Sequence, residues 1–213
     1  MILTEKPFLS IQGEGRNTGK LAIFLRFSGC NLHCQWCDTK YSWKKGKDYR
    51  EEWKEWLNKT KFIVVTGGEP LLRPECIDTL KRIRKVTLEV ETNGTLLPIP
   101  PGEFNNIQYS ISPKLQSSGE KREKRIKPEI LKQFLYLDSA FKFSIDNKAD
   151  LQEAKEIISE VNIPHKQVWL MPVVDNNKEL KKKSRQILQY AIEEGFNFSS
   201  RLHIFLYGKK RGV

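Results

Sequence analysis

The sequence lacks the features that mark secreted and membrane-embedded proteins. It has four cysteines, three histidines and two methionines among 213 residues. No apolar run approaches the roughly 20 residues that a transmembrane helix needs. The first residues do not place an apolar segment after a basic one, as a secretory signal would. We therefore expect a cytoplasmic protein in a reducing compartment, where clustered cysteines are more often metal-binding or catalytic than bridged.

The sequence also lacks internal repeats and any linker that would divide it. A chain of 213 residues can bury one sizeable core, so we expect a single domain over residues 1–213. The formal net charge is +11, which would suit an anionic ligand or nucleic acid but more often marks a solvated basic surface. No recognition-helix or aromatic-platform motif accompanies the charge, so a nucleic-acid partner is not expected.

Three of the four cysteines stand in one short loop. Cys30, Cys34 and Cys37 have the spacing C-x3-C-x2-C, whereas Cys76 lies apart and is interpreted as a buried small side chain. Three thiolates can hold three corners of a [4Fe–4S] cube and leave the fourth iron open to a ligand. An open coordination position is typical of catalytic metal centres. From the loop alone, a structural zinc site with His33 or a distant residue as the fourth ligand remains an alternative.

Strand-like and helix-like stretches alternate along the rest of the chain. Predicted strands are Leu21–Phe27, Phe62–Thr66, Val86–Glu91, Ile107–Ile111, Phe141–Ile145, Gln167–Met171 and Arg201–Leu206. Predicted helices are Tyr49–Leu57, Pro74–Arg84, Asp150–Val161 and Lys178–Glu194. Strands that alternate with crossovers of this length predict an α/β fold with a mostly parallel sheet.

Chemically unusual groups follow four of these strands. They are Cys30–Cys37 after the first strand, Thr66–Pro70 after the second, Glu91–Gly94 after the third and Ser112–Lys114 after the fourth. Parallel α/β folds bind their ligands at the carboxyl ends of the strands. The four groups are therefore predicted to meet at one edge of the sheet.

Each group has a chemical rationale and a plainer alternative. Gly67 and Gly68 allow the backbone to approach a ligand, or form an ordinary tight turn. Glu91–Asn93 offer donors and acceptors for ribose hydroxyls, or form a polar turn. Ser112 and Lys114 could contact a carboxylate or hydroxyl, or lie in solvent. Together they suit a nucleoside-bearing amino acid that lies beside an iron–sulfur cluster.

These motifs resemble those of the radical S-adenosylmethionine (SAM) superfamily. The resemblance is carried by the three-cysteine loop after a first strand and by Gly67-Gly68-Glu69-Pro70. Within that superfamily, Ser10-Ile-Gln-Gly-Glu-Gly15, Arg26 and Cys37-Asp38-Thr39 are similar to the 7-carboxy-7-deazaguanine synthase family, over essentially the whole chain. The resemblance implies a partial, open TIM-like barrel of mostly parallel strands, with helices missing because the chain is short.

The resemblance also implies an activity. Members of that family are lyases that convert 6-carboxy-5,6,7,8-tetrahydropterin to 7-carboxy-7-deazaguanine, with ring contraction and loss of ammonia, in queuosine and archaeosine biosynthesis. Their [4Fe–4S] cluster donates an electron to SAM, which yields a 5′-deoxyadenosyl radical and is later regenerated. The expected cofactors are the cluster, SAM and Mg²⁺. The expected partners are the pterin substrate, an electron donor such as flavodoxin or ferredoxin, and a second copy in a homodimer.

Matching positions carry the family's site residues onto this chain. The cluster ligands would be Cys30, Cys34 and Cys37. The SAM-binding residues would be Trp36, Cys37, Asp38, Gly68, Glu91, Asn93, Ser112 and Lys114. The pterin-binding residues would be Ile11, Gln12, Gly13, Glu14, Arg26 and Thr66. Thr39 would bind Mg²⁺ through its hydroxyl, with substrate oxygens and waters at the other positions.

Three side chains keep more than one interpretation at this stage. The Arg26 guanidinium could bind the substrate carboxylate bidentately, or form a salt bridge at the sheet edge. Glu14 could transfer protons or recognise the pterin. His33 is expected to pack or to face solvent rather than to take part in catalysis. The tail, His203–Val213, has no motif that gives it a role.

Two other functions explain fewer of the residues. A small activating enzyme for a glycyl-radical protein would share the three cysteines but would not require the Ser10–Gly15 or Cys37–Thr39 motifs. A non-enzymatic metal-binding RNA module would account for the positive charge, and it would show strong salt-dependent RNA binding without SAM cleavage.

Overall fold

The computed structural model describes residues 2–213 except 50, 74–76, 78, 79, 81, 82, 84, 101, 103, 105 and 175, and it describes residues 51 and 52 without their side chains. Within this part of the chain, no helix is both long and apolar enough to cross a bilayer.

One mixed sheet of ten strands organises the described residues. In chain order the strands are β1 (Ile2–Leu3), β2 (Phe8–Ile11), β3 (Leu21–Phe27), β4 (Lys47–Asp48), β5 (Phe62–Gly67), β6 (Thr87–Thr92), β7 (Ile107–Ile111), β8 (Ser139–Ile145), β9 (Val168–Pro172) and β10 (Asn197–Phe198). The order across the sheet is β10-β9-β8-β7-β6-β5-β3-β1-β4, and β2 also pairs with β3.

The strand pairing is parallel through most of the sheet. Every neighbouring pair from β3 to β10 is parallel. The pairs made by β1, β2 and β4 are antiparallel. The short end strands β10 and β4 lie at opposite ends of the order. The described strands therefore form an open, mostly parallel sheet, which confirms the predicted fold class.

The helices whose bounds are described differ in length. Among them, the α-helices are α1 (Arg122–Arg125), α2 (Pro128–Phe134), α3 (Lys148–Val161), α4 (Asn177–Glu194) and α5 (Leu202–Tyr207). Short 3₁₀ helices are Gly15–Asn17, Lys40–Trp43, Glu51–Asn58, Pro70–Leu72, Gln116–Ser118 and His165–Gln167. The described residues between β6 and β7 form no helix. As far as it is described, the connection between β6 and β7 thus lacks the helix of a full strand–helix unit, as expected for a chain of this length.

The two long helices begin after an asparagine cap and end at a residue in the left-handed conformation. The Asn147 side chain accepts a hydrogen bond from the Asp150 N–H at the start of α3, and Asn162 ends the helix in the left-handed conformation. Asn176 caps α4 in the same way, and Gly195 ends it with φ 69°. These caps account for the agreement with the helices predicted from the sequence.

The predicted strand Arg201–Leu206 is wrong. The last strand is β10, which pairs with β9, and the chain then turns into helix α5. Ile204 is buried in the helix whereas Phe205 is 64% exposed. A run of six residues, four of them apolar, is too short to define a period, so the sequence pattern could not distinguish helix from strand.

Two predicted helices have different outcomes. Tyr49–Leu57 corresponds to the 3₁₀ helix Glu51–Asn58 rather than to an α-helix. Much of Pro74–Arg84, including Cys76, lies outside the described residues.

Strand β8 shows how the sheet separates core from cavity. All seven of its residues are buried. Phe141, Phe143 and Ile145 belong to the main hydrophobic core, and each contributes roughly 2 kcal/mol through apolar burial. The alternate positions Lys142 and Ser144 face the opposite side and line a cavity. A buried lysine in this strand is therefore a residue of the cavity floor.

Candidate active site

A cavity of about 820 Å³ opens at the carboxyl ends of the parallel strands. Its walls include the cysteine loop after β3, Gly68 after β5, Asn93 after β6, Ser112 after β7 and Asp146 after β8. Cavities of this size hold small-molecule substrates and cofactors. The prediction that the strand-end groups meet at one edge of the sheet is confirmed.

Every residue that the sequence predicts for the site lines this cavity. The cysteine loop and its neighbours supply Cys30, Cys34, Trp36, Cys37, Asp38 and Thr39. The N-terminal segment and strands β3 and β5 supply Ile11, Gln12, Gly13, Glu14, Arg26, Thr66 and Gly68. Strands β6 and β7 and the turns that follow them supply Glu91, Asn93, Ser112 and Lys114. The individual roles of these residues stay predictions.

The three loop cysteines are free thiols that face one cavity. Burial raises the pKa of Cys30 to about 11 and also raises that of Cys34, while Lys114 opposes both shifts. Among the described residues, no three Cys, His, Asp or Glu side chains converge on a point for a single metal ion. Three free thiols that line one cavity offer the thiolate ligands that an iron–sulfur cluster selects.

Hydrogen bonds anchor the cysteine loop to the ends of β5 and β6. The Glu69 N–H donates to the Gly29 carbonyl (2.8 Å), and the Asn93 side chain donates to the Asn31 amide oxygen (2.9 Å). The buried Glu69 carboxylate accepts from the Thr92 hydroxyl and the Asn93 N–H. Burial raises the pKa of Glu69 although these hydrogen bonds oppose the shift. The loop is therefore fixed in place by its own strand-end neighbours.

Glu14 lies on the cavity floor between two cations. Its carboxylate accepts hydrogen bonds from Lys142 Nζ (2.5 Å) and Arg201 Nε (2.9 Å), and His203 Nε2 lies 3.8 Å away. Burial alone would raise the pKa of Glu14, but Lys142, Arg201 and His203 outweigh it and hold that pKa well below its usual range. Glu14 is therefore a permanently ionised group at neutral pH.

Arg201 joins this floor to the cysteine loop. Besides Glu14, its guanidinium donates to the Asp38 carboxylate and to the Val174 carbonyl. Burial would lower the pKa of Arg201, but Glu14 and Asp38 raise it, so the side chain stays charged. One guanidinium thus connects the N-terminal motif, the cysteine loop and the end of β9.

Gln12 lines the cavity, but its side chain is hydrogen-bonded to neighbouring protein groups. Its side-chain N–H₂ donates to Glu89 (3.1 Å) and Glu91 (3.2 Å), and its amide oxygen accepts from the Glu14 N–H (3.2 Å). Its main-chain N–H and carbonyl bond to Lys20 and Gly19. With 2% of its surface exposed, Gln12 orients the glutamates that surround it.

Glu89 lies below the cavity in an unusual environment. It is 1% exposed and is held by the neutral side chains of Gln12 and Asn17. Burial, together with the negative charge of Glu91, raises the pKa of Glu89 to about 7, while Asn17 and the more distant Lys142 and Arg16 oppose the shift.

This shift predicts a pH-dependent effect of Glu89→Gln on stability. The pKa of Glu89 rises from 4.5 to about 7 on folding. Its contribution to the free energy of unfolding is therefore complete below pH 4.5 and is lost as the pH rises through 7. Glutamine does not titrate. As the pH rises from 5 to 8, the free energy of unfolding of the variant should therefore increase by about 3 kcal/mol relative to that of the native protein.

Denaturant unfolding at a series of pH values measures this gain. The exposed Glu129→Gln variant is the control, since its carboxylate pairs with Lys132 at the surface and should change the profile by less than about 1 kcal/mol. Parallel stability curves for the native and Glu89→Gln proteins would contradict the assignment of the titration to Glu89.

The remaining predicted side chains are found as follows. Arg26 Nε bonds to Glu5 (2.6 Å), and the Tyr41 hydroxyl bonds to the same carboxylate (3.2 Å). The salt bridge considered for Arg26 is thus present, while its side chain also lines the cavity. His33 is exposed and packs edge-on against Trp43 (4.8 Å between ring centroids), as expected.

The sequence did not identify Lys142, Arg201 or the tail as parts of the cavity lining. A lysine inside the otherwise apolar run of β8 was a usable signal, because lysine is seldom fully buried without a partner. Arg201 gave no such signal, since its segment was read as a strand. Tail residues Gly208–Val213 line the cavity, and the Arg211 guanidinium lies over the Tyr41 ring, 4.0 Å from its centroid.

Comparison with known proteins agrees with this geometry. The Radical SAM superfamily model matches residues 25–136. The 7-carboxy-7-deazaguanine synthase of Pyrobaculum aerophilum is 35% identical, covering 96% of this chain and 94% of that protein. The synthase of the same name from Hyperthermus butylicus is 34% identical (93% and 90%), and that from Rhodopirellula baltica is 30% identical (100% and 89%).

A solved structure shares the fold. The crystal structure of QueE from Escherichia coli superimposes with a TM-score of 0.69 at 22% identity, covering 93% of this chain and 92% of that one. The free thiols that share a cavity with the strand-end polar groups, the superfamily match and these full-length relatives lead to one conclusion. The chain belongs to the radical SAM superfamily and, within it, to the 7-carboxy-7-deazaguanine synthase family.

Proposed function

We propose that this chain is a radical SAM lyase that converts 6-carboxy-5,6,7,8-tetrahydropterin to 7-carboxy-7-deazaguanine, with ring contraction and loss of ammonia, in 7-deazapurine biosynthesis. The observation that carries the proposal is one cavity that holds both the three free thiols and the ionised Glu14. The names of the full-length relatives support the same reaction.

The cysteine side of the cavity would hold the redox cofactors. Cys30, Cys34 and Cys37 would bind the [4Fe–4S] cluster, which with SAM supplies the radical that removes a hydrogen atom from the substrate. The protein's part in this chemistry is to bind, to orient and to exclude side reactions. Cys34 is buried (6% exposed), whereas Cys30 and Cys37 are partly exposed in the cavity.

The polar groups beside the cysteines would bind SAM. Lys114 Nζ donates to the Ser112 hydroxyl (2.9 Å) and lies 5.6 Å from the centroid of the Trp36 ring. An ammonium and a hydroxyl at this separation suit the carboxylate of an amino acid. Asn93, held by Asn31, and the Gly68 backbone, Glu91 and Asp38 would complete the site.

The floor of the cavity around Glu14 would recognise the pterin. Glu14, fixed as a carboxylate by Lys142 and Arg201, suits the N–H groups of a pterin ring. A group whose pKa lies so far below neutrality is a poor proton carrier at pH 7, so we interpret Glu14 as a recognition group rather than the proton-transfer group. Arg26 would bind the substrate carboxylate, and Ile11, Gly13 and Thr66 would contact the ring, with Gln12 orienting Glu14.

The remaining parts of the proposal concern Mg²⁺ and partners. Thr39 Oγ1 lies 3.6 Å from Cys37 Sγ, so a Mg²⁺ held by this hydroxyl would lie beside the cluster ligands, with substrate oxygens and waters filling its octahedral shell. A small electron donor such as flavodoxin or ferredoxin, a homodimer, one domain over residues 1–213 and a cytoplasmic location stay predictions. Family membership displaces the zinc, glycyl-radical and RNA alternatives.

An anaerobic assay tests the reaction. Protein with its cluster reconstituted is supplied with reductant, SAM, Mg²⁺ and 6-carboxytetrahydropterin, and mass spectrometry looks for 7-carboxy-7-deazaguanine. We expect product in the complete mixture and none when SAM is omitted or when the protein lacks its cluster. Cleavage of SAM without deazaguanine would overturn the substrate and leave the superfamily chemistry intact. Leaving out Mg²⁺ tests the metal separately, since product should then decrease.

A further inference from the structure

A buried ion pair lies behind the cysteine loop, outside the cavity lining. Arg125 in α1 is 4% exposed, and its Nη2 lies 2.7 Å from the Glu153 carboxylate in α3. The other two guanidinium nitrogens donate to the carbonyls of Lys114 (2.7 Å) and Glu120 (2.9 Å). The second Glu153 oxygen accepts from the Gln116 N–H (2.6 Å). The pair therefore fixes three main-chain positions of one segment, residues 114–120, which we call the buttress.

Helix α3 holds the buttress at a further position. The fully buried Asp150 carboxylate accepts from the Ser117 N–H (3.1 Å) and from the Asp146 N–H (2.9 Å). Four main-chain groups of the buttress, at positions 114, 116, 117 and 120, are thus bonded to charged side chains of α1 and α3. Hydrogen bonds to charged groups are the stronger kind, so this segment is held more rigidly than an ordinary loop.

The other side of the buttress contacts the cysteine loop between its cluster ligands. The Gln35 N–H donates to the Ser118 carbonyl (2.8 Å), and Trp36 Nε1 donates to the Ser117 hydroxyl (3.2 Å). The His33 N–H donates to the Glu120 carboxylate. Residues on either side of Cys34 therefore take their position from the buttress.

We propose that Arg125 and Glu153 are positioning residues for the radical SAM chemistry, because through the buttress they set the place of the cysteine loop and of Lys114. Neither side chain lines the cavity, so they act through these main-chain contacts. Replacing a buried ion pair by apolar residues is often neutral for stability. A contribution to stability alone therefore does not explain why the Arg125–Glu153 pair occupies this buried position. The inference concerns the cluster and SAM, and it stands whichever substrate the enzyme uses.

The neighbouring Arg122–Glu160 pair is a matched control. It joins the same two helices, at 2.8 Å, but both side chains are 44% exposed. Arg125→Met/Glu153→Leu is compared with Arg122→Met/Glu160→Leu, in full-length protein with reconstituted cluster. The readouts are the thermal midpoint, iron per chain, the Kd of SAM and the electron paramagnetic resonance spectrum of the reduced cluster before and after SAM is added.

We expect the buried-pair variant to fold but to bind SAM at least about tenfold more weakly, a factor that equals about 1.4 kcal/mol. Its reduced cluster should not show the native spectral change at a SAM concentration that saturates the native protein. The exposed-pair control should match the native protein in both. A buried-pair variant with native SAM affinity and a native spectrum would overturn the proposal.

A second variant keeps the experiment decisive if the double substitution prevents folding. Arg125→Lys retains the buried charge beside Glu153 but cannot bond Glu153 and both carbonyls at once. We expect intermediate weakening of SAM binding, and native binding by this variant would also overturn the proposal. Failure of the native protein to form deazaguanine, with SAM binding and cleavage intact, would affect only the substrate assignment above.

Discussion

Gly68→Ala is expected to prevent the cysteine loop from packing against the end of β5. A Cβ atom at this position would lie 1.9 Å from the Gly29 carbonyl oxygen and 3.0 Å from the Cys30 nitrogen, both backbone atoms. The Glu69 N–H donates to that same carbonyl, so the two loops cannot separate without losing the bond. We expect the free energy of unfolding to decrease by about 3 kcal/mol or more, and reconstitution to give less iron per chain.

The control for this substitution is another glycine. Gly19→Ala places a Cβ in open space, with no heavy atom within 4 Å, although the backbone has φ 89°. Conformational strain alone should then lower the free energy of unfolding by about 1–2 kcal/mol, without effect on the cluster. Denaturant unfolding and iron content are measured for both variants. Equal stability and equal iron content in the two would contradict the close approach at Gly68.

Lys142→Met is expected to remove most of the synthase activity. The ammonium lies 2.5 Å from Glu14 and 3.9 Å from Glu91, and its side chain is 7% exposed. Burial would lower the pKa of Lys142, but Glu14 and Glu91 raise it, so the floor loses a full positive charge in the variant. Glu14 would then keep only Arg201 as a hydrogen-bonded cation, and Glu91 would lose the ammonium that lies 3.9 Å from it.

The expected loss in kcat/KM is about 100-fold or more, which equals about 3 kcal/mol of transition-state stabilisation. The free energy of unfolding should fall by a similar amount, because removing one partner of a buried pair costs about 3–5 kcal/mol. Activity is therefore measured at a temperature where circular dichroism shows the variant folded.

Lys183→Met is the control. Its pair with Asp146 lines the same cavity and is partly exposed, so activity should change less than about threefold. Native kcat/KM in Lys142→Met would refute the role of this lysine.

The two variants affect different parts of one cavity. Gly68 lies where the turn after β5 packs against the backbone of the cysteine loop. Lys142 forms an ion pair with Glu14 on the cavity floor. A protein that is folded and contains its cluster but is inactive is expected only from the second substitution. Measuring iron and product together therefore separates a failure to hold the cluster from a failure to recognise the substrate.

The sequence by itself determined the cofactor side of this protein. The three-cysteine spacing, the two glycines at the end of β5 and the polar triplet Glu91–Asn93 at the end of β6 are local patterns. Each lies at or just after the end of a strand that its β-branched and aromatic residues predict. Since parallel strands place their carboxyl ends at one edge, local order along the chain was enough to bring these groups together. Helices α3 and α4, which have asparagine caps, were also predictable because the patterns that indicate a helix are local in the sequence.

Only the tertiary structure decided the charge of the substrate side. The partners of Glu14 are Lys142 and Arg201, which lie 128 and 187 positions further along the chain. No local pattern encodes such a pairing, and without it the carboxylate could be a proton carrier or a fixed anion. The turn of Leu202–Tyr207 into a helix was equally hidden, because β10 already occupies the sheet edge and the apolar run fits either period. Ionisation state depends on distance and burial, and those exist only once the chain has folded.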